Sequence, residues 1–141
     1  MGSEMCIRDR RYTQNEEAVF NGCPVLVLDT VGMLGRCYPY ASLAYVGGGM
    51  GTSGLHNILE PAAEGAPIVI GKNYDKFPEA KDLITLGSVI SVASAEECRK
   101  QISKLQENIV LRKEKGSANK NYVRANQGAT DKTIALINQS L

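Results

Sequence analysis

Four short, mainly apolar runs recur along the chain, with segments of helical character between them. The runs cover residues 25–28, 43–46, 67–70 and 89–92, and helices are predicted over 33–40, 58–64 and 79–86. A short apolar run without polar alternation is typical of a strand buried on both faces of a parallel sheet. The alternation therefore predicts an α/β fold, a Rossmann-like doubly wound parallel sheet whose ligand binds at the carboxyl ends of the strands.

The last third of the sequence is predicted to be helical. Ser94 and Glu97 form an S-x-x-E capping box, which indicates that a helix begins there. The apolar residues of this helix recur at helical spacing, at Cys98, Ile102, Leu105 and Ile109. The tail from Arg112 onward is polar, and its charged run at 112–115 is interpreted as a solvated helix face. A further helix is predicted over 129–141.

Composition excludes several classes of function. Sixteen basic and fifteen acidic residues leave a net charge of +1, so no basic field is available to hold nucleic acid. No apolar stretch approaches the roughly 20 residues that span a bilayer, and the chain as given is predicted to be soluble. Four scattered cysteines without a CxxC, and a single histidine, favour neither a zinc site nor a disulfide framework. We expect no metal, no cofactor and a reducing, cytoplasmic setting.

Residues 1–10 differ from the rest of the sequence. They contain neither a periodic apolar pattern nor the apolar core of a signal peptide. We interpret them as a non-native or disordered leader, and residues 11–141 as the folded domain.

A glycine-rich loop at residues 47–54 joins the second predicted strand to the next helix. Five of its eight residues are glycine, which lets the backbone approach a ligand closely and point N–H groups at an anion. Residues 49–54 also match G-x-G-x-x-G, the dinucleotide-binding pattern. However, the following helix is short and contains Pro61, and no acidic residue ends the next strand. A dinucleotide site is therefore disfavoured, while a glycine-rich turn without a ligand remains an alternative.

The segment after this loop contains three candidate site residues. Asn57 is a good N-cap, and the helix it opens would offer free N–H groups and a positive dipole end to a phosphate. Glu60 could close a capping box on the Asn57 N–H, which the spacing favours, or accept hydrogen bonds from two ribose hydroxyls. His56, the only histidine, has no identifiable carboxylate or nucleophile partner, so a positioning role is favoured over proton transfer.

Four segments together resemble one family. They are DTVGML at 29–34, YVGGG at 45–49, HNILEPAA at 56–63 and NQGA at 126–129. The chain is similar, from about Arg11 to its end, to the C-terminal domain of 3-deoxy-D-manno-octulosonic acid (Kdo) transferases, the lipid A Kdo transferases. HN-x-LEP after a glycine-rich strand exit is the specific part of this resemblance.

The resemblance implies a GT-B glycosyltransferase in which two Rossmann-like domains face each other across a cleft. The C-terminal domain of the family holds the donor, CMP-Kdo. The N-terminal domain, which this chain would lack, supplies the lipid A precursor site, a carboxylate general base and the membrane anchor. Transfer is inverting and uses no metal, at the cytoplasmic face of the bacterial inner membrane. By itself, the chain is expected to be inactive.

The resemblance also implies which residues contact the nucleotide. The CMP contacts of the family fall on Val31, Gly32, Met33, Asn57, Ile58, Leu59 and Glu60, with supporting positions at Gly48, Gly49 and His56. This raises the nucleotide role of Glu60 above the capping role.

The sequence departs from the family pattern at two points. Many members have an acidic residue where this chain has Met33, so contacts there would use the main chain. A proline–arginine contact further upstream has no counterpart. Two alternatives remain: the donor domain of a GT-B enzyme that uses a UDP-sugar, and a non-catalytic nucleotide-binding or NAD-binding module.

Overall fold

The structure is a computed structural model that describes residues 9–14 and 25–139. Its internal contacts divide the chain into an N-terminal unit, residues 1–37, and a C-terminal unit, residues 38–141. The predicted leader at residues 1–10 lies outside the described residues except for Asp9 and Arg10, which belong to a strand.

The N-terminal unit contains a small parallel sheet of two strands. Strand β1 (Asp9–Arg11) pairs with β2 (Val25–Val27), which confirms the position and the parallel pairing of the first predicted strand. The prediction that this strand is buried is wrong, because all three residues of β2 are exposed in this two-stranded sheet. A 3₁₀ turn (Tyr12–Gln14) follows β1, and the short helix α1 (Leu34–Cys37) ends the unit.

Thr13 and Asp29 connect the turn after β1 to the residues that follow β2. The Thr13 backbone N–H donates to Asp29 Oδ1 at 3.1 Å, and the Thr13 hydroxyl donates to Asp29 Oδ2 at 2.5 Å. Because hydrogen bonds to a carboxylate favour its charged form, those from Thr13, led by the hydroxyl, lower the pKa of Asp29. The end of the first predicted strand is therefore tied to the turn after β1.

The C-terminal unit is built on a parallel sheet of three strands in the order β3-β4-β5. The strands are β3 (Ala44–Val46), β4 (Ile68–Gly71) and β5 (Val89–Val92), and all three lie where the apolar runs predicted them. Every residue of β4 is buried, as a continuous apolar run in a central parallel strand predicts.

The α-helices described in the C-terminal unit are α2 (Leu59–Ala63), α3 (Pro78–Thr85), α4 (Ala95–Glu107), α5 (Ile109–Ala125) and α6 (Ala129–Gln139). Helices α2 and α3 pack on one face of the sheet and α4 on the other, whereas α6 has no buried residue. On one face, Ile68 and Ile70 pack in one cluster with Ala62 of α2 and Leu83 of α3. On the other face, Val69 and Leu105 of α4 form a second cluster. Helix layers on two faces of a parallel sheet confirm the predicted α/β fold.

The start of α4 follows the sequence prediction, but its end does not. Ser94 Oγ accepts a hydrogen bond from the Glu97 N–H at 3.1 Å, as a capping box requires. The prediction that the same apolar series continues to Ile109 is wrong, because α4 ends at Glu107 and Ile109 is 56% exposed. Asn108 adopts an extended backbone and accepts from the Leu111 N–H at 2.9 Å, so it caps a new helix instead.

Helix α5 occupies the polar tail and packs tightly on the end of α2. A Cβ added to Gly116 would lie 2.0 Å from the Gly65 carbonyl oxygen, so only glycine fits this crossing. Asn119 is fully buried, and its side-chain amide donates to the Ala66 carbonyl at 2.8 Å. The tail is therefore a docked helix. Its charged run is only partly solvated, since Lys115 donates to the Gly87 carbonyl.

Tyr122 joins α5 to α3. Its hydroxyl donates to Asp82 Oδ2 at 2.8 Å. Burial, followed by the hydrogen bond and the negative charge of Asp82, raises the pKa of Tyr122 to about 12. The tyrosine therefore stays neutral, and keeps donating to Asp82, throughout the neutral and mildly alkaline range.

The crossing of α2 and α5 generates a test. We expect Gly116→Ala to lower the free energy of unfolding by about 1–3 kcal/mol, because the new methyl group must displace the backbone at Gly65. Urea unfolding followed by circular dichroism measures the change. Ser117→Ala, at an exposed position of the same helix, should stay within about 0.5 kcal/mol of the parent chain. Equal stability of the two variants would contradict the close crossing.

Candidate functional site

The loops that follow β3 and β4 lie side by side at the carboxyl edge of the sheet. Asn73, just after β4, connects them with two hydrogen bonds. Its backbone N–H donates to the Gly49 carbonyl at 2.8 Å, and its side-chain amide donates to the Gly51 carbonyl at 2.9 Å. The glycine-rich loop is thereby fixed at the edge where parallel α/β sheets bind ligands.

Two close backbone approaches account for several of the glycines. A Cβ on Gly71 would lie 2.2 Å from the Gly49 carbonyl carbon, so the two strand exits touch through their backbones. Gly48 has a φ of +88°, and a Cβ there would lie 1.9 Å from the Gly54 carbonyl oxygen. The loop is therefore folded back on itself. Its packing alone requires glycine at these positions, whatever the loop binds.

His56 lies beside this folded loop. Its backbone N–H donates to the Gly47 carbonyl at 3.1 Å, and its ring lies 3.1 Å from the place that a Cβ on Gly48 would occupy. The residue is exposed, and its ring forms no hydrogen bond with any residue in the described part of the chain. A histidine without a carboxylate partner fits a contact or positioning role better than proton transfer.

Asn57 caps the helix from outside its N-cap position. Helix α2 begins at Leu59 with Ile58 as the N-cap, and Asn57 Oδ1 accepts from the Leu59 N–H at 2.9 Å. Ile58 itself is buried in the core. The prediction of Asn57 as the N-cap residue is therefore displaced by one position, although its side chain does bind the first turn.

Glu60 does not form the capping box that its spacing favoured. Its Oε1 accepts from the side-chain amide of Asn57 at 3.0 Å rather than from the Asn57 backbone N–H. Glu60 is exposed, so this bond orients the carboxylate without burying it. A carboxylate held at one oxygen retains lone pairs for another donor.

The mouth of α2 offers fewer N–H groups than the sequence indicated. Asn57 already binds the Leu59 N–H, and Pro61 has no N–H. The helix is only five residues long, so its dipole is small. Within the C-terminal unit, the glycine-rich loop is therefore the stronger candidate for holding an anion.

The predicted contacts at Val31, Gly32 and Met33 lie in a turn of the N-terminal unit. Val31 is fully exposed, and Gly32 has a φ of +83°, a conformation that favours glycine. The Met33 carbonyl accepts from the Arg36 N–H at 3.1 Å, which begins α1. A nucleotide contact at this turn stays a prediction.

A pocket of about 380 Å³ opens between the glycine-rich loop and the loop after β4. Its lining comprises Gly51, Thr52, Gly54, Asn73 and residues 75–77. Asn73 and residues 75–77 lie outside the motifs that predicted site residues. The signal that could have identified them is their position directly after a buried strand, at the carboxyl edge of the sheet.

Within residues 9–14 and 25–139, no cluster of three or more histidine, cysteine, aspartate or glutamate side chains could hold a metal ion. The helices in these two ranges are too short or too polar to cross a membrane.

The sequence is similar to curated Kdo transferases. The 3-deoxy-D-manno-octulosonic acid transferase of Haemophilus influenzae is 30% identical over 115 residues, which are 80% of this chain and 27% of the relative. Those of Bordetella pertussis and Chlamydia pneumoniae are 29% and 30% identical over 78% and 82% of the chain, and 26% and 27% of the relatives. The chain thus spans about a quarter of their length. No protein-family profile matches it.

A solved structure has the same fold. The crystal structure of the C-terminal CMP-Kdo binding domain of WaaA from Acinetobacter baumannii superposes with a TM-score of 0.73 at 22% sequence identity. The match covers 83% of this chain and 61% of that one. Together with the sequence relatives, it confirms the predicted resemblance to the C-terminal part of Kdo transferases.

The contact between the two strand exits generates a test. We expect Gly71→Ala to lower the free energy of unfolding by about 1–3 kcal/mol and to shift the amide NMR signals of residues 47–54, because the methyl group would overlap Gly49. Gly51→Ala is the matched control, since a Cβ there meets no atom within 4 Å. If Gly71→Ala left both stability and the loop signals unchanged, the described contact would be wrong.

Proposed function

We propose that this chain, a relative of the Kdo transferases, binds CMP-Kdo as the donor-binding part of a glycosyltransferase of lipopolysaccharide biosynthesis. The observation that carries the proposal is the arrangement of the HNILEP segment beside the glycine-rich loop, at the carboxyl edge of the sheet. These segments lie within the region that is about 30% identical to the relatives.

The phosphate of the donor is assigned to the glycine-rich loop. Gly48 is half-buried and has no side chain to cover its backbone, buried Gly49 packs against Gly71, and Asn73 holds the loop in one conformation. Fixed N–H groups stabilise the charge that develops on a leaving CMP better than mobile groups, because they need no reorganisation during the reaction. His56, next to Gly48, would position the same part of the donor.

The ribose is assigned to Glu60. Its carboxylate is exposed and oriented by the amide of Asn57, and two acceptor oxygens suit two neighbouring hydroxyls. Leu59, 39% exposed, is available for an apolar contact with the nucleotide, whereas Ile58 acts from the core by holding the segment in place. We further expect the turn at Val31, Gly32 and Met33 to contact the nucleotide.

Sugar transfer itself requires groups that lie in those regions of the relatives that this chain does not match. We propose that the carboxylate general base, the site for the lipid A precursor and the attachment to the cytoplasmic face of the inner membrane lie in the remaining three quarters of those proteins. Transfer is proposed to invert the anomeric centre. The chain alone is then a donor-binding unit without transferase activity.

Nucleotide binding tests the proposal. We expect calorimetric titration of the chain to give a dissociation constant for CMP at least roughly tenfold lower than for UDP, a difference of about 1.4 kcal/mol. Binding of UDP with indifference to CMP would favour a donor domain for UDP-sugars. Binding of NAD in preference to both would favour a dinucleotide-binding module.

The role of Glu60 can be separated from helix capping. We expect Glu60→Ala to weaken CMP binding at least roughly tenfold and to cost only about 0.5–1.5 kcal/mol of stability, because the Asn57–Leu59 hydrogen bond remains. Glu64→Ala, at the exposed C-cap of the same helix, is the control and should leave CMP binding unchanged. Equal CMP affinity of the Glu60 variant and the parent chain would return Glu60 to a structural role.

A further inference from the structure

The pocket between the loops after β3 and β4 has no part in the nucleotide contacts assigned above. It begins at Gly51 of the glycine-rich loop, whereas His56 lies beside Gly48 of the same loop. Gly54 adjoins both Gly48 and the pocket. Its carbonyl lies against Gly48, and a Cβ added to Gly54 would lie 3.7 Å from the Phe77 ring. A phosphate bound at the loop would therefore have the nucleotide segment on one side and this pocket on the other.

The pocket contains a cation without an intramolecular partner. Lys76 is the only basic residue in the lining, and it is exposed. Within residues 25–139 it forms no ion pair, not even with the neighbouring Asp75. A positive charge that the fold leaves unpaired inside a concave site is available for an anionic ligand.

The other lining residues have the chemistry of a sugar site. Thr52 supplies a hydroxyl and Asp75 a carboxylate, both suited to sugar hydroxyls, while Phe77 supplies an aromatic face for the C–H side of a sugar ring. The volume of about 380 Å³ is at the lower end of the range for small-molecule sites, which suits a single sugar. The backbone around the pocket is fixed by the two hydrogen bonds of Asn73.

We propose that this pocket binds the sugar-acid part of the donor, with Lys76 pairing with the sugar carboxylate. The assignment rests on the proposed function, because it takes from it that the donor carries an octulosonic acid next to the phosphate. That carboxyl group is ionised at neutral pH, as carboxylic acids are. Lys76 is thus a specificity-determining residue that distinguishes an acidic sugar from a neutral one.

The position of Asp75 sets the orientation of the sugar. A second carboxylate next to Asp75 would be repelled, whereas hydroxyl groups would be bound. The acid group is therefore assigned to Lys76 and the hydroxyl-bearing carbons to Asp75, both of which line the pocket. A neutral hexose would fill the same volume but would leave Lys76 without a partner.

The test uses the full 141-residue chain and NMR titration. Free 3-deoxy-D-manno-octulosonate and its uncharged methyl ester are titrated separately, with and without saturating CMP. We expect the acid to shift the amide signals of Thr52, Asn73 and Lys76, and the ester to bind at least roughly tenfold more weakly. Lys76→Met should weaken binding of the acid by a similar factor and leave that of the ester and of CMP unchanged.

Lys72→Met is the matched control, because Lys72 is an exposed lysine of the same loop that does not line the pocket. It should bind the acid like the parent chain, and Lys76→Arg should retain most of the affinity. A higher salt concentration should weaken binding of the acid more than binding of the ester.

The outcomes separate this inference from the proposed function. If CMP binds but the acid and the ester bind equally, or Lys76→Met binds the acid unchanged, the sugar-acid pocket is overturned and nucleotide binding stands. If CMP fails to bind the parent chain, the proposed function fails. Even then, NMR shifts of the pocket residues that the acid causes in the parent chain and not in Lys76→Met would support the sugar-acid site.

Discussion

The direct contact between the backbones of Gly49 and Gly71 determines the shape of the candidate site. Two neighbouring parallel strands end there without side chains between them, so the loop after β3 can lie on the exit of β4. Asn73 then fixes that loop with its backbone and its side chain. One short stretch thereby places the glycine-rich loop, the HNILEP segment and the pocket at a single edge. The backbone contact and the two hydrogen bonds together define the loop conformation in which an anion would be held.

The segment that carries Glu60 depends on a distant part of the chain. Helix α2 has only five residues, and a helix of that length does not persist by itself in water. It is held by α5, through the Gly65–Gly116 crossing and the buried amide of Asn119. The polar tail therefore contributes to the site without contacting it. Gly116 and Asn119 are therefore explained by the packing of α5 on α2, independently of any ligand.

The sequence predicted those features that depend on local signals. Mainly apolar runs located β3, β4 and β5, and the S-x-x-E pattern located the start of α4, because burial and capping are reflected in the sequence within a few residues. The docking of α5 was not predicted, because its only buried residues are Gly116 and Asn119 and its apolar contacts, at Leu111, Tyr122 and Val123, are few and only partly buried. The helix boundary at Asn108 was also missed, because the helical spacing of apolar residues continues across it. The hydrogen bond between the Asn57 amide and Glu60 depends on side-chain rotamers, which the spacing does not determine.

The number of free backbone N–H groups decides whether the glycine-rich loop or helix α2 is better suited to hold a phosphate. An anion needs several free donors at once, and the first turn of α2 has lost one to Asn57 and another to Pro61. Five of the eight residues of the glycine-rich loop are glycine, so few side chains cover its backbone, whereas α2 presents a carboxylate at its surface. A carboxylate would repel a phosphate but binds hydroxyl groups well. The charge pattern therefore favours phosphate on the loop and ribose on the helix, and it leaves the space beyond Gly51 to the group attached to the other side of the phosphate.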